Sequence, residues 1–357
     1  MKKLDWYMIR ELLVPLLIGT VAVTLMFQAN TYMFYAKNYR IENVPAVKIF
    51  AIIYHRTPEF LAMTLPVGMA LAGSLAMARL ARESELTALR AAGVRILRTI
   101  LPIAVVGVLV SLLNYHLVEN IQPGATRESN RIAYDVGFEG SLPQVNENVP
   151  LRLERYSAFL GRVERTLDGG LDIRNVLLVE RPEQSVWLVT TAEQATYQGG
   201  VWRFVGAYLR RFDGEKLTQA GPAKDFKVDE EIVVDQFMTP AVPEALSTQE
   251  LRERIEMNRR LRFDTRPDEI KYHVKFSVPA ACIVFALISP VFSIFFARSG
   301  SFVGVLLSIV MVLVYYNAFV ISTEILGKFA FMPTWLAAWL PNFLFSFLAL
   351  FGIRRLE

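Results

Sequence analysis

The chain has 357 residues, 53% of them apolar and 20% charged, with a net charge of +4. Soluble domains carry roughly 45–50% apolar and about 25% charged residues, so an excess gathered in long apolar blocks excludes an ordinary soluble protein. No basic, aromatic-interleaved surface points to nucleic acid, and a single cysteine, Cys282, excludes an internal disulfide and a Cys/His zinc site.

Residues 12–35 follow Lys2, Lys3 and Asp5 as an uncharged apolar run. It is too long for a signal-peptide core and reads as a retained first span. A crossing needs about 20 mostly apolar residues. Six stretches qualify: 12–35, 58–78, 99–118, 274–297, 302–323 and 332–353. Pro66, Pro102, Pro279, Pro290 and Pro341 fall inside them, as membrane helices tolerate. Small residues four apart, Gly68 with Ala72 and Ala70 with Ser74, suit close helix packing.

Lys2, Lys3, Arg10, Arg79, Arg82, Arg90, Arg95, Arg98, Arg298, Arg354 and Arg355 all fall on one side of these spans. The positive-inside rule makes that side the cytoplasm. Lys37, Arg40, Lys48, Arg56 and Lys328 fall on the other. Both termini are then inside, and the chain divides into residues 1–120 with spans one to three, an extracytoplasmic insertion over 121–270, and 271–357 with spans four to six. His116, Glu119 and Glu324 sit at expected helix ends, and the span interiors hold almost no other ionisable group. Ion-coupled carriers keep such groups for a relay, so work done by this protein draws on an outside energy source.

The segment 79–95, between spans two and three, is rich in Ala, Leu, Glu and Arg and favours a helix. Gly93 suits its C-cap. Leu86 and Leu89 share a side with Arg90, and Arg82, Glu83 and Glu85 complete a short polar helix on the cytoplasmic side. It reads either as a docking knob for a partner or as a surface helix with local ion pairs, Glu83 to Arg79 or Glu85 to Arg82, each contributing about 0.2–0.5 kcal/mol.

From Leu151 the pattern changes to period two, with about eight short strand-like runs over 140–240. Trp202, Phe204 and Tyr208 share one parity, and 232–234 is another run. Asp168-Gly169-Gly170, Gly199-Gly200 and Asp213-Gly214 supply turns. This predicts an antiparallel sandwich or jelly roll. Its inward residues either fill their own core or leave room for an acyl chain between the sheets. Pro240 and Pro243 end the sheet. Ser247 and Glu250 form a capping box for a very polar helix, and Pro267 opens the next one.

The stretch Glu85-Leu86-Thr87-Ala88-Leu89-Arg90-Ala91-Ala92-Gly93 resembles the coupling-helix signature of the lipopolysaccharide export permeases, the LptF/LptG (YjgP/YjgQ) family. Leu4-Asp5-Trp6-Tyr7 with Arg10-Glu11, Pro58-Glu59, Gln122-Pro123 and the β insertion before three more spans agree in order, so the resemblance covers nearly the whole chain. It implies a six-span helical membrane protein with an inserted jelly-roll-like periplasmic domain, in the bacterial inner membrane. It implies that two such permeases pair and bind a cytoplasmic ABC ATPase dimer (LptB-like). The coupling helix, with Arg82, Glu83, Glu85, Leu86, Leu89, Arg90 and Gly93, would insert into that ATPase, Glu85 at the acidic contact position. Lipopolysaccharide or a related large lipid would leave the membrane and pass to a periplasmic bridge protein (LptC/LptA-like). Lys37 and Arg40 are the lipid-headgroup candidates it implies, although the family often has adjacent lysines there; interfacial snorkelling is the other reading of this pair.

No Gly-x-x-x-x-Gly-Lys-Ser/Thr loop is present, so ATP would be hydrolysed by a separate subunit, and no cofactor or metal is expected. A membrane hydrolase would need a nucleophile and base or a metal motif, and none of His55, His116 and His273 begins His-Glu-x-x-His. A scaffold that binds an ATPase without moving lipid is the remaining alternative.

Overall fold

A computed structural model of the chain describes residues 2–38, 46–139, 146–152, 156–165, 171–180, 186–198, 201–213, 216–223, 227–229, 243–260, 264–296 and 301–356. Arg40, Arg298, Pro240, the run 232–234 and the turn positions at 168–170, 199–200 and 214 lie outside them.

The helices are α1 (Lys2–Asn38), α2 (Ala46–Arg82), α3 (Glu85–Ala91) and α4 (Ile96–His116), which continues through a π-helical turn, Leu117–Ile121, into α5 (Gln122–Glu139). After the strands come α6 (Thr248–Arg260), α7 (Arg266–Phe296), α8 (Ser301–Val320) with a second π-helical turn, Ile321–Ile325, and α9 (Thr334–Leu356). Among the described residues six helical segments are long and apolar enough to cross a membrane: Lys3–Tyr35, Ala46–Arg82, Ile96–Ala133, Arg266–Phe296, Leu306–Lys328 and Thr334–Leu356. Each coincides with one expected stretch, and most run beyond it because polar turns prolong them. The chain separates into two compact units, one of residues 1–35, 53–129 and 243–357, the other of residues 36–52 and 130–242.

In the helical unit two prolines account for two of the buried polar residues. Pro66 has no N–H for the carbonyl of Ala62, four residues earlier. The Asn114 amide of α4 donates to that carbonyl at 2.9 Å. Pro341 orphans Ala337 in the same way, and the Ser322 hydroxyl donates to its carbonyl at 2.6 Å. Asn342 donates to the Ser277 carbonyl at 2.8 Å and accepts from the Tyr315 hydroxyl at 2.6 Å, joining α7, α8 and α9. Small residues give the close approaches. A Cβ on Gly68 would lie 2.1 Å from the Thr20 hydroxyl of α1, and one on Gly107 would lie 2.4 Å from Ala286. Cys282 is fully buried in the same apolar cluster as Phe285 and Tyr315, as a small core residue.

The second unit holds strands β1 (Asn146–Arg152), β2 (Tyr156–Arg165), β3 (Leu171–Glu180), β4 (Val186–Gln198), β5 (Val201–Val205), β6 (Tyr208–Asp213), β7 (Lys216–Pro222) and β8 (Lys227–Asp229), all paired antiparallel. β5 and β6 keep one register against β4, with Gln194 opposite Val205 and Thr191 opposite Tyr208. They are therefore one strand interrupted at Gly206 and Ala207. β8 continues β7 in the same sense along their outer edge. The described strands form an up-and-down meander, all-β as expected.

A row of irregular positions crosses this meander. Asn175 of β3 (φ 55°) lies opposite Gly161 of β2, and Gly206 has φ 67°. A Cβ on Gly161 would lie 2.8 Å from the Asn175 Cβ, so the row requires glycine there. Burial changes parity across it. Leu171 and Ile173 are buried before Asn175, Val176 and Leu178 after it; on β4, Ala192 is buried before and Ala195 after. Such a break keeps one face buried while the strands bend. It also corrects the expectation for Tyr208. Trp202 and Phe204 are buried and stacked 5.8 Å apart, but Tyr208 lies beyond Gly206 and is exposed.

Candidate functional site: the loop between the second and third spans

α2 ends at Arg82, and the chain reverses through Ser84, whose φ of 59° is left-handed without a side-chain cap bond. α3 then runs for two turns and closes on Gly93 (φ 79°). The Gly93 N–H donates to the Arg90 carbonyl and the Val94 N–H to the Leu89 carbonyl, both at 3.0 Å. This is a Schellman closure. No atom lies within 4 Å of a Cβ built on Gly93, so backbone conformation rather than space selects glycine.

Arg82, Glu83 and Arg90 are exposed, and Glu85 and Leu89 are half-buried. Leu86 is buried in the apolar cluster that includes Met8 and Leu12 of α1 and Ile96 of α4. Leu86 thus anchors α3 to the bundle, while its neighbours stay accessible. Arg79 makes the expected i,i+4 ion pair with Glu83 at 3.1 Å. Glu85 bonds across the bundle instead of locally. The Tyr7 hydroxyl of α1 lies 3.0 and 2.9 Å from its two carboxylate oxygens. Arg79 also pairs with Glu11, and Arg98 donates to Asp5 at 2.8 Å. Sequence reasoning missed Asp5, Tyr7 and Glu11 as partners of this loop. The available signal was polar residues at the start of a span, two of them four apart and so on one helical face.

Of the headgroup candidates, Lys37 lies in the last turn of α1, and Arg40 is outside the described residues.

A second polar cluster gathers where α4, α6 and α7 meet. Glu119, expected at a helix end, sits on the π-helical turn after α4. It accepts from the Thr248 N–H at 3.0 and 3.1 Å and from the Thr248 hydroxyl, and lies 3.8 Å from the buried Lys275. Lys275, inside the fourth span, is an ionisable residue that the reading of charge-poor spans overlooked. Glu324, on the other π-helical turn, lies 3.9 Å from Lys271, which pairs with Glu244 at 3.1 Å. Both acids therefore face lysines four apart on α7. The capping box forms as expected: the Ser247 N–H donates to Glu250 at 2.7 Å and the Glu250 N–H to the Ser247 hydroxyl at 3.3 Å. Partial burial pushes the Glu250 carboxyl up, but the Ser247 bonds and Arg127 outweigh it and hold it below the usual carboxylate range. Among the described residues no group of three His, Cys, Asp or Glu could hold a metal ion.

These features define a polytopic helical membrane protein with a β insertion and a short braced helix between its second and third spans. The sequence profile described as "Lipopolysaccharide export system permease LptF/LptG" matches residues 6–355, so the chain belongs to the LptF/LptG family of lipopolysaccharide export permeases. No curated protein sequence matches it significantly.

Proposed function

We infer that this chain is the permease subunit of an ABC-type exporter that extracts lipopolysaccharide, or a related large lipid, from the inner membrane and delivers it to a periplasmic bridge protein. It pairs with a second permease of its kind, and a separate cytoplasmic ATPase dimer drives it by docking on α3. Both termini are cytoplasmic, the strands periplasmic, and the chain itself catalyses no reaction. Lys37 and Arg40 meet the headgroup. The observation that carries the docking reading is the build of α3: a two-turn helix closed by Gly93, anchored by Leu86, that leaves Arg82, Glu83 and Arg90 exposed around Glu85.

Co-purification in detergent with the ABC ATPase of the same source tests it. Native protein should retain the ATPase and Glu85→Lys should lose it. A folded native protein that binds no such ATPase would overturn the reading.

A further inference from the structure

Five polar residues of the loop and its flanks, Arg79, Glu83, Glu85, Arg90 and Arg98, are engaged; three of them reach α1, and Arg90 donates to the Leu356 carbonyl of α9 at 3.5 Å. Tyr7 meets Glu85 at 2.9–3.0 Å, Glu11 meets Arg79, and Asp5 meets Arg98 at 2.7 Å. Tyr7 and Glu11 are four apart and face Glu85 and Arg79 together. Leu86 adds an apolar tie through the cluster it shares with Met8 and Leu12. So about two turns of the first helix are tied to the end of α2, to α3 and to the start of α4, with Tyr7–Glu85 the polar contact that α3 itself makes. That helix is also the least enclosed of the six, with 22% of its most apolar window buried inside the protein, against 67% for the second span and 61% for the fourth.

The Tyr7 hydroxyl has one proton to share between two carboxylate oxygens. It orients the Glu85 carboxylate while leaving most of its acceptor capacity open. A half-buried carboxylate held by one neutral donor remains available to a cation on a partner, unlike one already paired with Arg.

We propose that Tyr7 is the positioning residue of the docking loop: it holds Glu85 in place for the ATPase and couples α3 directly to the first span, while Glu11 and Asp5 tie that span to the helices on either side of the loop. This rests on the docking reading above. The motion that the ATPase imposes on α3 then reaches the first span through this contact. Asp5, Tyr7 and Glu11 serve the loop rather than the membrane, which accounts for polar residues at the start of an otherwise apolar helix.

The test is a double-mutant cycle on ATPase affinity with the full chain in detergent, using native protein, Tyr7→Phe, Glu85→Gln and the double variant. Tyr7→Phe should weaken binding about fivefold, as loss of a half-exposed hydrogen bond to a charged group does. In the Glu85→Gln background the same change should have little further effect, because Tyr7 acts through Glu85. Equal, additive losses in both backgrounds, or no loss from Tyr7→Phe where Glu85→Gln weakens binding, would overturn the positioning role and leave the docking reading standing. Native protein that binds no ATPase would overturn both. A second measurement does not depend on Tyr7 variants. A bifunctional thiol crosslink between Glu11→Cys and Arg79→Cys, cleavable by reduction and formed in the assembled exporter, should leave ATP-driven lipid release near its level in the cleaved form. Release abolished by the crosslink and restored by its cleavage would show that the first helix must separate from the entry to the loop, and the coupling of the loop to the first span would fall.

Discussion

At the α3 end of the bundle the long-range polar ties are partly open to solvent: Arg79 is 45% exposed and its partner Glu11 16%, and Arg98 is 27% exposed and its partner Asp5 33%. Where α6 meets the bundle, Lys275 is 7% exposed and its partner Glu119 20%. Exposed pairs contribute little and can exchange partners, whereas a buried charge that loses its partner is strongly penalised. The first end therefore suits the docking proposed above. The second is built to hold the π-helical turns and α6 against α7.

The largest effect should come from breaking the buried end. Glu119→Ala strands Lys275 and removes the acceptor of Thr248, and should cost about 3 kcal/mol in detergent unfolding. Lys275→Met combined with Glu119→Gln should recover most of that loss. By contrast Arg79→Ala, at a solvent-screened pair, should cost far less than Glu119→Ala; equal costs at the two sites would erase the distinction.

Between these extremes lies the neutral interior. Asn114→Leu leaves the Ala62 carbonyl without a donor and should cost about 1 kcal/mol, the scale of side-chain bonds in membrane helices. Pro66→Ala in that background restores an N–H to the carbonyl and should return part of it. If Pro66→Ala gives nothing back, the link between the proline and the asparagine is wrong. Ser84→Gly should stabilise the loop by about 1 kcal/mol, since glycine accepts a left-handed conformation freely. Unchanged unfolding would mean that Ser84 is not strained.

The smallest effect concerns pH. The Glu250 carboxyl is held below its ordinary range. Its contribution is therefore present above the unfolded value and fades as pH falls through the lower folded one. Native protein should lose slightly more stability on acidification than Glu250→Gln does, read as the difference between their unfolding temperatures across the acidic range.

Much of this architecture was legible beforehand. The six spans follow from apolar runs, because hydrocarbon thickness sets a length that composition alone can meet. The capping box at Ser247 and Glu250 and the closure at Gly93 were legible because both depend on residues within a few positions of each other. The exposed Tyr208 was not. Alternation extends a parity until something breaks it, and the break at Gly206 is visible only with Asn175 and Gly161 beside it in neighbouring strands. Glu119 was misplaced at a helix end because local sequence does not distinguish a π-helical turn from a terminus.

By itself the sequence determined the membrane class, the number of spans, the β insertion, the helix between spans two and three, and the family resemblance that its Glu85–Gly93 stretch carries. These depend on periodicity, length and short-range capping. Tertiary structure alone decided that Glu85 is held by Tyr7, that Leu86 is an anchor, that Lys275 is buried beside Glu119, and that Asn114 and Ser322 cover carbonyls left by Pro66 and Pro341. Each joins residues from 15 to 156 positions apart, and no local pattern encodes which distant group a polar side chain will meet; packing of the helices does.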